Sequence, residues 1–501
     1  MSLMGLDVGT TGCKAVVFDL DGNILASSYR EYPLLHPKPG WIEINPNQVW
    51  ESVVTVVREV SSRTTQDPIK AFAVSSLGEA CVGVDKNGAF LDNSIIGFDT
   101  RGAEFLGFWE NRLGKDRLMR ISGMPLSNIY TINKIMWIKR YKPSIFKKAW
   151  KFLCFEELVY FKLGLEPTVD YSLAARTMCL DIRKSAWSKE MLELAGVEES
   201  RLAKIAPSGT VVGEVKGRYA EELGLLEGTV AVTGGHDQPC GALGAGIIKK
   251  DIAMDATGTV ECVCPAFAKP LLNKKMLDNG YACYPHVVPG MFVTIAFNFT
   301  GGSLLRWYRD TLGEEERIEA KDSGRDVYDI IIEKALNTPS NIYVLPHFTT
   351  TGTPYFDHRA KGAIIGLTLA TKKPEIIRGI LEGITLEIKM NLNYLEKAGL
   401  RVNELRAIGG GAKSRKWMQL KADIFNKRVL SLSVSEAACL GCAMLAGVAI
   451  GEYSSLHEAV DRIVKVKEIF KPDRKNAMLY EDRLKVYTKI YPALRDVNHC
   501  I

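Results

Sequence analysis

Residues 4–19 read Met4-Gly-Leu-Asp7-Val-Gly9-Thr10-Thr11-Gly12-Cys13-Lys14-Ala-Val-Val-Phe-Asp19. Apolar residues flank a Gly-Thr-Thr-Gly centre on both sides. The stretch predicts a buried strand ending at Gly9, a tight turn, and a second strand from Cys13 to Asp19. The turn Leu20-Asp21-Gly22-Asn23 leads into a third strand, Ile24 to Tyr32. Asn45-Pro46 then opens a helix, with Asn45 as N-cap, Pro46 in the first turn and Gln48 as capping-box partner. Trp50, Val53, Val54, Val57 and Val60 recur along it at helical spacing. Strands follow at Ile69 to Ser75 and around Ser94 to Phe98. A meander whose helices cross to further strands is an α/β layered domain.

A second strand–loop–helix unit lies at Val230 to Asp237, through Thr233-Gly234-Gly235-His236-Asp237, with a small-residue helix from Gln238 to Gly246. The polar break Lys249-Lys250-Asp251 precedes a strand, Ile252 to Ala256. That strand ends in Thr257-Gly258-Thr259, an echo of Val8-Gly9-Thr10-Thr11 about half a chain away. The echo predicts a duplicated fold with a boundary near 247, giving domains 1–247 and 248–501. In the last third, a strand from Leu405 to Ile408 runs into Gly409-Gly410-Gly411-Ala412-Lys413-Ser414 and a helix. Trp417, Leu420 and Ile424 share one face of that helix.

The chain has 501 residues, enough for two to four domains. It is 47% hydrophobic and 24% charged, which excludes a wholly disordered or collagen-like chain. The net charge of +6, from 64 Lys+Arg against 58 Asp+Glu, is too weak over this length to call for nucleic acid. No apolar run reaches the ~18 residues of a membrane-spanning helix. The N-terminus lacks a basic n-region and carries Asp7, so it does not read as a secretory signal. The 11 cysteines are scattered through apolar stretches, the pattern of reduced thiols in a cytoplasmic protein. Cys262-Val-Cys264 is too tight for a zinc knuckle. Cys439-Leu-Gly-Cys442 has metal spacing but no accompanying pair or His cluster, so both read as packing.

Four constellations can carry chemistry. In the first, a strand delivers Asp7 to a turn where Gly9 and Gly12 let backbone N–H groups approach an anion. Thr10, Thr11 and Lys14 can bind phosphate oxygens there, and Asp7 can hold Mg²⁺. An ordinary hairpin turn would use the same residue types. The loop is not a Walker A motif, and no G-x-G-x-x-G appears. In the second, Asp237 stands where a strand meets a helix start: either a helix cap or a general base, with Gly234 and Gly235 clearing space for a ligand. His236 is a base candidate too, but a lone His is more often structural. The third is Gly410-Gly411-Ala412 with Ser414, which can receive a flat ring or a ribose phosphate at a helix N-terminus, or serve only as a helix start. The fourth comprises Gly78-Glu79 and Asp99-x-Arg101 at strand ends, suited to polyol hydroxyls or to surface salt bridges. Trp41 with Glu43 is a further sugar-facing candidate, though packing ahead of the helix is the stronger reading of it.

Taken together and in order, these motifs resemble the FGGY family of carbohydrate kinases within the actin-like ATPase superfamily. The matching pieces run from Asp7–Lys14 through Gly40-Trp-Ile-Glu43, Lys134-Ile-Met-Trp137 and Gly234–Gln238. They continue with Thr257–Thr259, Phe299-Thr-Gly-Gly-Ser303, Gly362–Thr368 and Gly409–Asp423. The resemblance implies an α/β fold of two actin-like (ribonuclease H-like) domains with a ligand cleft between them. It implies ATP with Mg²⁺ as donor and a small sugar or polyol as acceptor. By that analogy Asp237 is the catalytic base, Asp7 the metal-side carboxylate, and Gly9, Thr10, Thr11 and Lys14 the phosphate contacts. Gly258, Thr259, Gly301, Gly302, Gly410, Gly411, Ala412 and Ser414 would meet the nucleotide. Gly78, Glu79, Asp99, Asp237 and Gln238 would meet the sugar. A homodimer is the one assembly considered, with no nucleic-acid or membrane partner. Gly78-Glu79 replaces the Arg-Glu of glycerol kinases and the Met-His of xylulokinases, and Gln238 replaces the xylulokinase Asn. A xylulokinase-like ketose or polyol kinase is therefore expected, with a glycerol kinase-like enzyme or a non-kinase actin-like ATPase or sugar-responsive regulator as alternatives.

Overall fold

The computed structural model describes residues 1–433 and 435–501. Its first half is built on a sheet of β1 (Ser2–Val8), β2 (Gly12–Phe18), β3 (Ile24–Glu31), β4 (Ile69–Ser76), β5 (Val211–Val215) and β6 (Thr229–His236), in the order β5-β6-β4-β1-β2-β3. The second half carries β7 (Ile252–Thr257), β8 (Glu261–Phe267), β9 (Phe292–Val293), β10 (Glu404–Gly409), β11 (Arg428–Leu432) and β12 (Val466–Phe470), ordered β12-β11-β10-β7-β8-β9.

Six strands of each sheet repeat one pairing scheme, and the second sheet adds Tyr284–Pro285 beside β9 and Ala296–Asn298 beside β8. From its outer edge each runs antiparallel, parallel, parallel, antiparallel, antiparallel. The short echo between Val8–Thr11 and Thr257–Thr259 thus marks a whole duplicated sheet, with each motif at the β1–β2 or β7–β8 hairpin turn. All strands of the first sheet precede residue 247 and all strands of the second follow it.

The first sheet is buried on both faces, which explains the continuous apolar runs of β1 and β2. Helix α1 (Pro46–Arg63) covers one face with Val49, Trp50, Val53, Val56, Val57 and Val60. Asn45 caps it through the amide of Asn47 at 3.0 Å, not through a reciprocal box with Gln48. The other face is covered by α2 (Asp237–Gly244) and, from the far end of the chain, α4 (Ala437–Ala449), which follows α3 (Arg415–Phe425). A boundary at 247 therefore separates the sheets but not the layers. The sequence of α4, Ala-Ala-Cys-Leu-Gly-Cys-Ala-Met-Leu-Ala-Gly-Val-Ala, leaves room for this. A Cβ on Gly5 of β1 would stand 1.9 Å from the carbonyl oxygen of Cys439, and one on Gly441 would stand 2.0 Å from that of Cys240. Backbones approach there to a distance only glycine permits. Cys439 and Cys442 are buried in this packing, and ten of the 11 cysteines are buried. The expected strand at 94–98 shortens to Ser94–Ile95, paired with Glu43–Ile44.

Gly441→Val should force α4 away from α2. The expected loss is about 3 kcal/mol, since overpacking a filled interface displaces backbone. It would be read as a lower urea midpoint, with Gly451→Ala, where a Cβ meets nothing but the φ of +82° is strained, losing less.

Candidate active site

Parallel register brings the first sheet's chemistry to one edge. Asp7 pairs with Ser75 across β1 and β4, and His236 pairs with Ser76 across β6 and β4. The chain leaving these strand ends supplies Gly9–Thr11, Gly78-Glu79 and Asp237 side by side. Ligands of α/β sheets bind at such carboxyl ends. Between them and the second half lies a cavity of about 1720 Å³, lined by Thr10, Gly78, Glu79, Arg176, Asp237 and Gln238 on one side and Val260, Cys262, Phe297 and Phe299 on the other.

Asp237 is the first residue of α2, where the helix dipole favours an anion. A third of its side chain is open to the cavity. Its Oδ1 has no hydrogen-bond partner, although His236 Nε2 lies 3.2 Å away. Burial, followed by the carboxylates of Asp7 and Glu79, pushes its pKa up to about 7, with Arg176 opposing. Burial and Arg176 together hold His236 well below the usual imidazole range, so this ring is neutral. Its Nδ1 lies 3.1 Å from the Tyr284 hydroxyl. Asp237, which lines the cavity with part of its carboxyl exposed while its unpartnered Oδ1 lies buried beside His236, is the stronger base candidate.

Asp7 is half-buried and accepts a hydrogen bond from Ser75 Oγ at 2.8 Å; burial raises its pKa. The Gly9 amide closes the turn on the carbonyl of Gly12 at 2.9 Å, leaving Thr10 and Thr11 accessible. Lys14 is not free: its Nζ is paired with Glu436 at 2.8 Å, immediately before α4.

Glu79 adopts φ +61°, a left-handed conformation that a side chain rarely takes. Buried Lys134 holds it there by donating to the Glu79 carbonyl at 2.5 Å. The Glu79 carboxylate accepts from Arg176 Nε at 2.6 Å. Gly78 is required because a Cβ there would meet His236 Nε2 at 2.9 Å. Gln238 lines the cavity and accepts from Cys262 Sγ at 3.0 Å.

Asp99 departs from its expected place as a sugar contact. It is fully buried, its oxygens taken by Arg101 Nε (2.9 Å) and Nη2 (2.6 Å) and by the amides of Arg101 (2.7 Å) and Ile42 (2.6 Å). Arg101 also pairs with Glu43 at 2.7 Å and stacks on Trp41, so Trp41 and Glu43 belong to this buried network.

The second sheet offers the matching edge, with Thr257 and Gly409 in register. Gly258 and Thr259 are exposed. The Gly302 amide donates to Gly258 O at 2.7 Å, and a Cβ on Gly301 or Gly302 would stand 2.6 Å from backbone, so these loops interlock. Of the three glycines at 409–411, Gly409 and Gly411 are required by Thr257, at 2.5 and 2.7 Å, and only Gly410 faces open space. Ala412 is half-buried against the second core. The Ser414 hydroxyl caps α3 through the Trp417 amide at 3.3 Å, so it serves the helix start that the sequence left open as an alternative. Beneath the turn, fully buried Lys421 binds Asp255 (2.7 Å), Thr257 (2.6 Å) and Glu261 (2.8 Å). Neither this cluster nor Arg176 is legible in the sequence, because Lys421 lies 166 residues from Asp255 and Arg176 lies 97 from Glu79.

A model described as the FGGY family of carbohydrate kinases, N-terminal domain, matches residues 2–244, and its C-terminal counterpart matches residues 254–450. A xylulose kinase of Bacillus subtilis (strain 168) is 28% identical over 498 residues, 99% of this chain and 98% of its own. An autoinducer-2 kinase of Yersinia pestis bv. Antiqua (strain Angola) is 29% identical, over 96% of this chain and 92% of its own. The crystal structure of a ligand-bound xylulose kinase from Lactobacillus acidophilus superposes with a TM-score of 0.89 at 26% identity, covering 99% of this chain and 98% of that one.

The raised pKa of Asp237 has a consequence for stability. A carboxyl whose folded pKa is about 7, against an ordinary 3.8, favours the folded state below pH 3.8, and that advantage is lost as pH rises through 7. Asp237→Asn should therefore raise the unfolding temperature by an amount that grows from pH 4 to pH 8. A gain that shrinks over that range would contradict the assignment.

Proposed function

The chain belongs to the FGGY family of carbohydrate kinases, which use ATP to phosphorylate a sugar hydroxyl, and on that premise we propose that Asp237 is the general base of the transfer. The acceptor is a small ketose, polyol or related carbohydrate, as for the xylulose kinases it resembles. The observation that carries this reading is the Asp237 carboxyl, which lines the cavity with a third of its side chain exposed and whose buried Oδ1 has no hydrogen-bond partner. As a carboxylate it accepts the proton of the acceptor hydroxyl; the freed oxygen attacks the terminal phosphorus of ATP, and ADP leaves. Phosphoryl transfer needs positioning and charge neutralisation more than covalent chemistry. Thr10, Thr11 and the turn amides suit the transferred group, Gly258, Thr259 and Gly410 the nucleotide, and Glu79 and Gln238 the acceptor.

The donor set fits Mg²⁺. Asp7 offers a carboxylate beside the phosphate turn, and among the described residues no three His, Cys, Asp or Glu side chains gather to cage a metal unaided. Magnesium bound largely through phosphates and water needs only such a carboxylate. It supplies neutralisation of the phosphate charge. Lys14 adds a cation on the same turn, steered by Glu436. A switch or regulator without acceptor chemistry would leave the free Asp237 oxygen with no role. We place the protein in a reducing compartment, the cytoplasm, in keeping with its ten buried thiols.

Asp237→Asn should lower kcat for sugar-stimulated ADP release by about 10²–10⁴-fold while ATP binding persists. For the unaltered protein kcat/KM should rise with pH and level off above about 7, because the base works only when ionised. Near-normal turnover in the folded variant would remove Asp237 from the chemistry. Gly410→Val meets no neighbour in the fold and should raise the KM for ATP about tenfold, leaving acceptor KM unchanged.

A further inference from the structure

We propose that Glu156 and Ser172 are positioning residues for Asp237: from behind the cavity they hold a one-residue bulge in β6 that aims its carboxyl. This rests on the reading of Asp237 given above and adds to it two side chains that touch no ligand.

β6 lies parallel to β4, with Thr233 opposite Val74 but Gly235 opposite Ser75 and His236 opposite Ser76. Gly234 is therefore an inserted residue, shortly before Asp237. Side chains alternate along a strand, so one inserted residue reverses the face to which those after it point. A Cβ on Gly234 would stand 2.2 Å from Val74 O, and one on Gly235 would stand 2.6 Å from Ser172 Oγ. The space that this pair of glycines was expected to clear for a ligand is filled by the protein itself.

A bulge breaks the ladder and leaves amides to be satisfied elsewhere. Here two buried side chains take them. Glu156, in the helix Phe155–Lys162, accepts from the Gly234 amide through Oε1 at 2.9 Å. Ser172, in the helix Tyr171–Ala175, accepts from the His236 amide at 2.9 Å. Asp170 joins the two: its amide donates to Glu156 Oε2 at 3.1 Å, and its Oδ1 accepts from Ser172 Oγ at 3.0 Å. These bonds close a ring behind the step into Asp237. Glu156, Asp170 and Ser172 are fully buried, and none of them lines the cavity.

A regular strand would satisfy the same amides on β4 without a buried carboxyl, and burying carboxyls is costly. The ring is what the bulge requires, and the bulge sets the direction in which the chain enters α2. The packing of α4 seats that helix; the ring fixes the step onto it.

The test is Ser172→Ala, read by an infrared pH titration of the Asp237 carboxyl, isolated as the band lost in Asp237→Asn, and by ADP release with D-xylulose. In the unaltered protein the band should titrate at about 7. In Ser172→Ala the step relaxes and the carboxyl gains water, so the midpoint should fall by about one unit or more. Ser208→Ala removes a hydroxyl that bonds Asp170 at 2.7 Å outside the ring, and should leave the midpoint in place. With Ser172→Ala, kcat should fall about tenfold or more at unchanged KM for ATP. Added to Asp237→Asn, the same change should cost less than about twofold further, whereas a merely structural loss would add in full. An unmoved midpoint in folded Ser172→Ala, or an equal shift in Ser208→Ala, would overturn the proposal. If Ser172→Ala does not fold, Glu156→Gln, whose carboxamide oxygen accepts from only one of the two amides, takes its place. If neither folds, exchange of the Gly234 and His236 amides in the unaltered protein decides: rates as slow as those of β4 support the ring, and rates as fast as those of exposed turns overturn it. Near-normal turnover in Asp237→Asn with a moved midpoint would remove the base reading and leave this one standing. Should D-xylulose release no ADP, the midpoint decides alone.

Discussion

The seating of α4 on β1 and α2 is the constraint on which the rest depends. Gly5, Gly244 and Gly441 bring the backbones so close that any side chain would collide with a carbonyl, at 1.9–2.0 Å. This contact joins the end of the chain to its beginning. It fixes where the start of α2 stands, and Asp237 is the first residue of that helix. The same contact brings Glu436 to Lys14, so this cation is set by the packing that positions Asp237. A carboxylate placed by backbone contact, not by a flexible side-chain network, is held with little freedom to drift.

Burial is what gives that carboxylate its chemistry. Asp237 lies among other anions at the end of a buried strand, and the fold has left one of its oxygens unpaired. Each feature destabilises the ionised form and raises its pKa toward neutrality, where a base is effective. His236 beside it moves the other way and stays neutral, so it does not neutralise Asp237 as an imidazolium would. The Asp99–Arg101–Glu43 group shows the opposite arrangement: oxygens satisfied, charges matched and no access to the cavity. Two strand-end carboxylates thus have different roles, and the environment, not the residue type, decides between them.

That contrast explains what the sequence conveyed and what it withheld. The hairpin turns, the Thr233–Asp237 strand-to-helix step and the Gly409–Ser414 loop are local patterns, and each appears where expected. The duplication was visible only as a three-residue echo, although six strands of each sheet repeat one pairing order. Asp99 misled because a strand-end Asp two residues before an Arg reads alike whether it faces a ligand or folds back on its neighbour. Gly411 was attributed to a ligand, whereas Thr257 of an adjacent strand leaves it no room for a side chain. Arg176 went unnoticed because its meaning lies in Glu79, Tyr130 and Tyr284, which only tertiary packing brings together.

The two sheets share an origin in pattern but have diverged in their use of charge. At the end of β1, Asp7 keeps a half-buried carboxylate bonded to one hydroxyl and reachable by a cation. In β7 the position aligned with Asp7 is Ala256, and the neighbouring carboxylate, Asp255, is fully buried and bound to Lys421, which also holds Glu261 and the Thr257 hydroxyl. A carboxylate neutralised in this way has no charge to offer a metal; it stiffens the turn above it. The duplicated motif is therefore asymmetric: one copy keeps an accessible carboxylate beside its turn, and the other supports the Gly409–Ser414 loop with a carboxylate neutralised by Lys421. A pair of buried ion contacts is sufficient to produce that difference from a single fold.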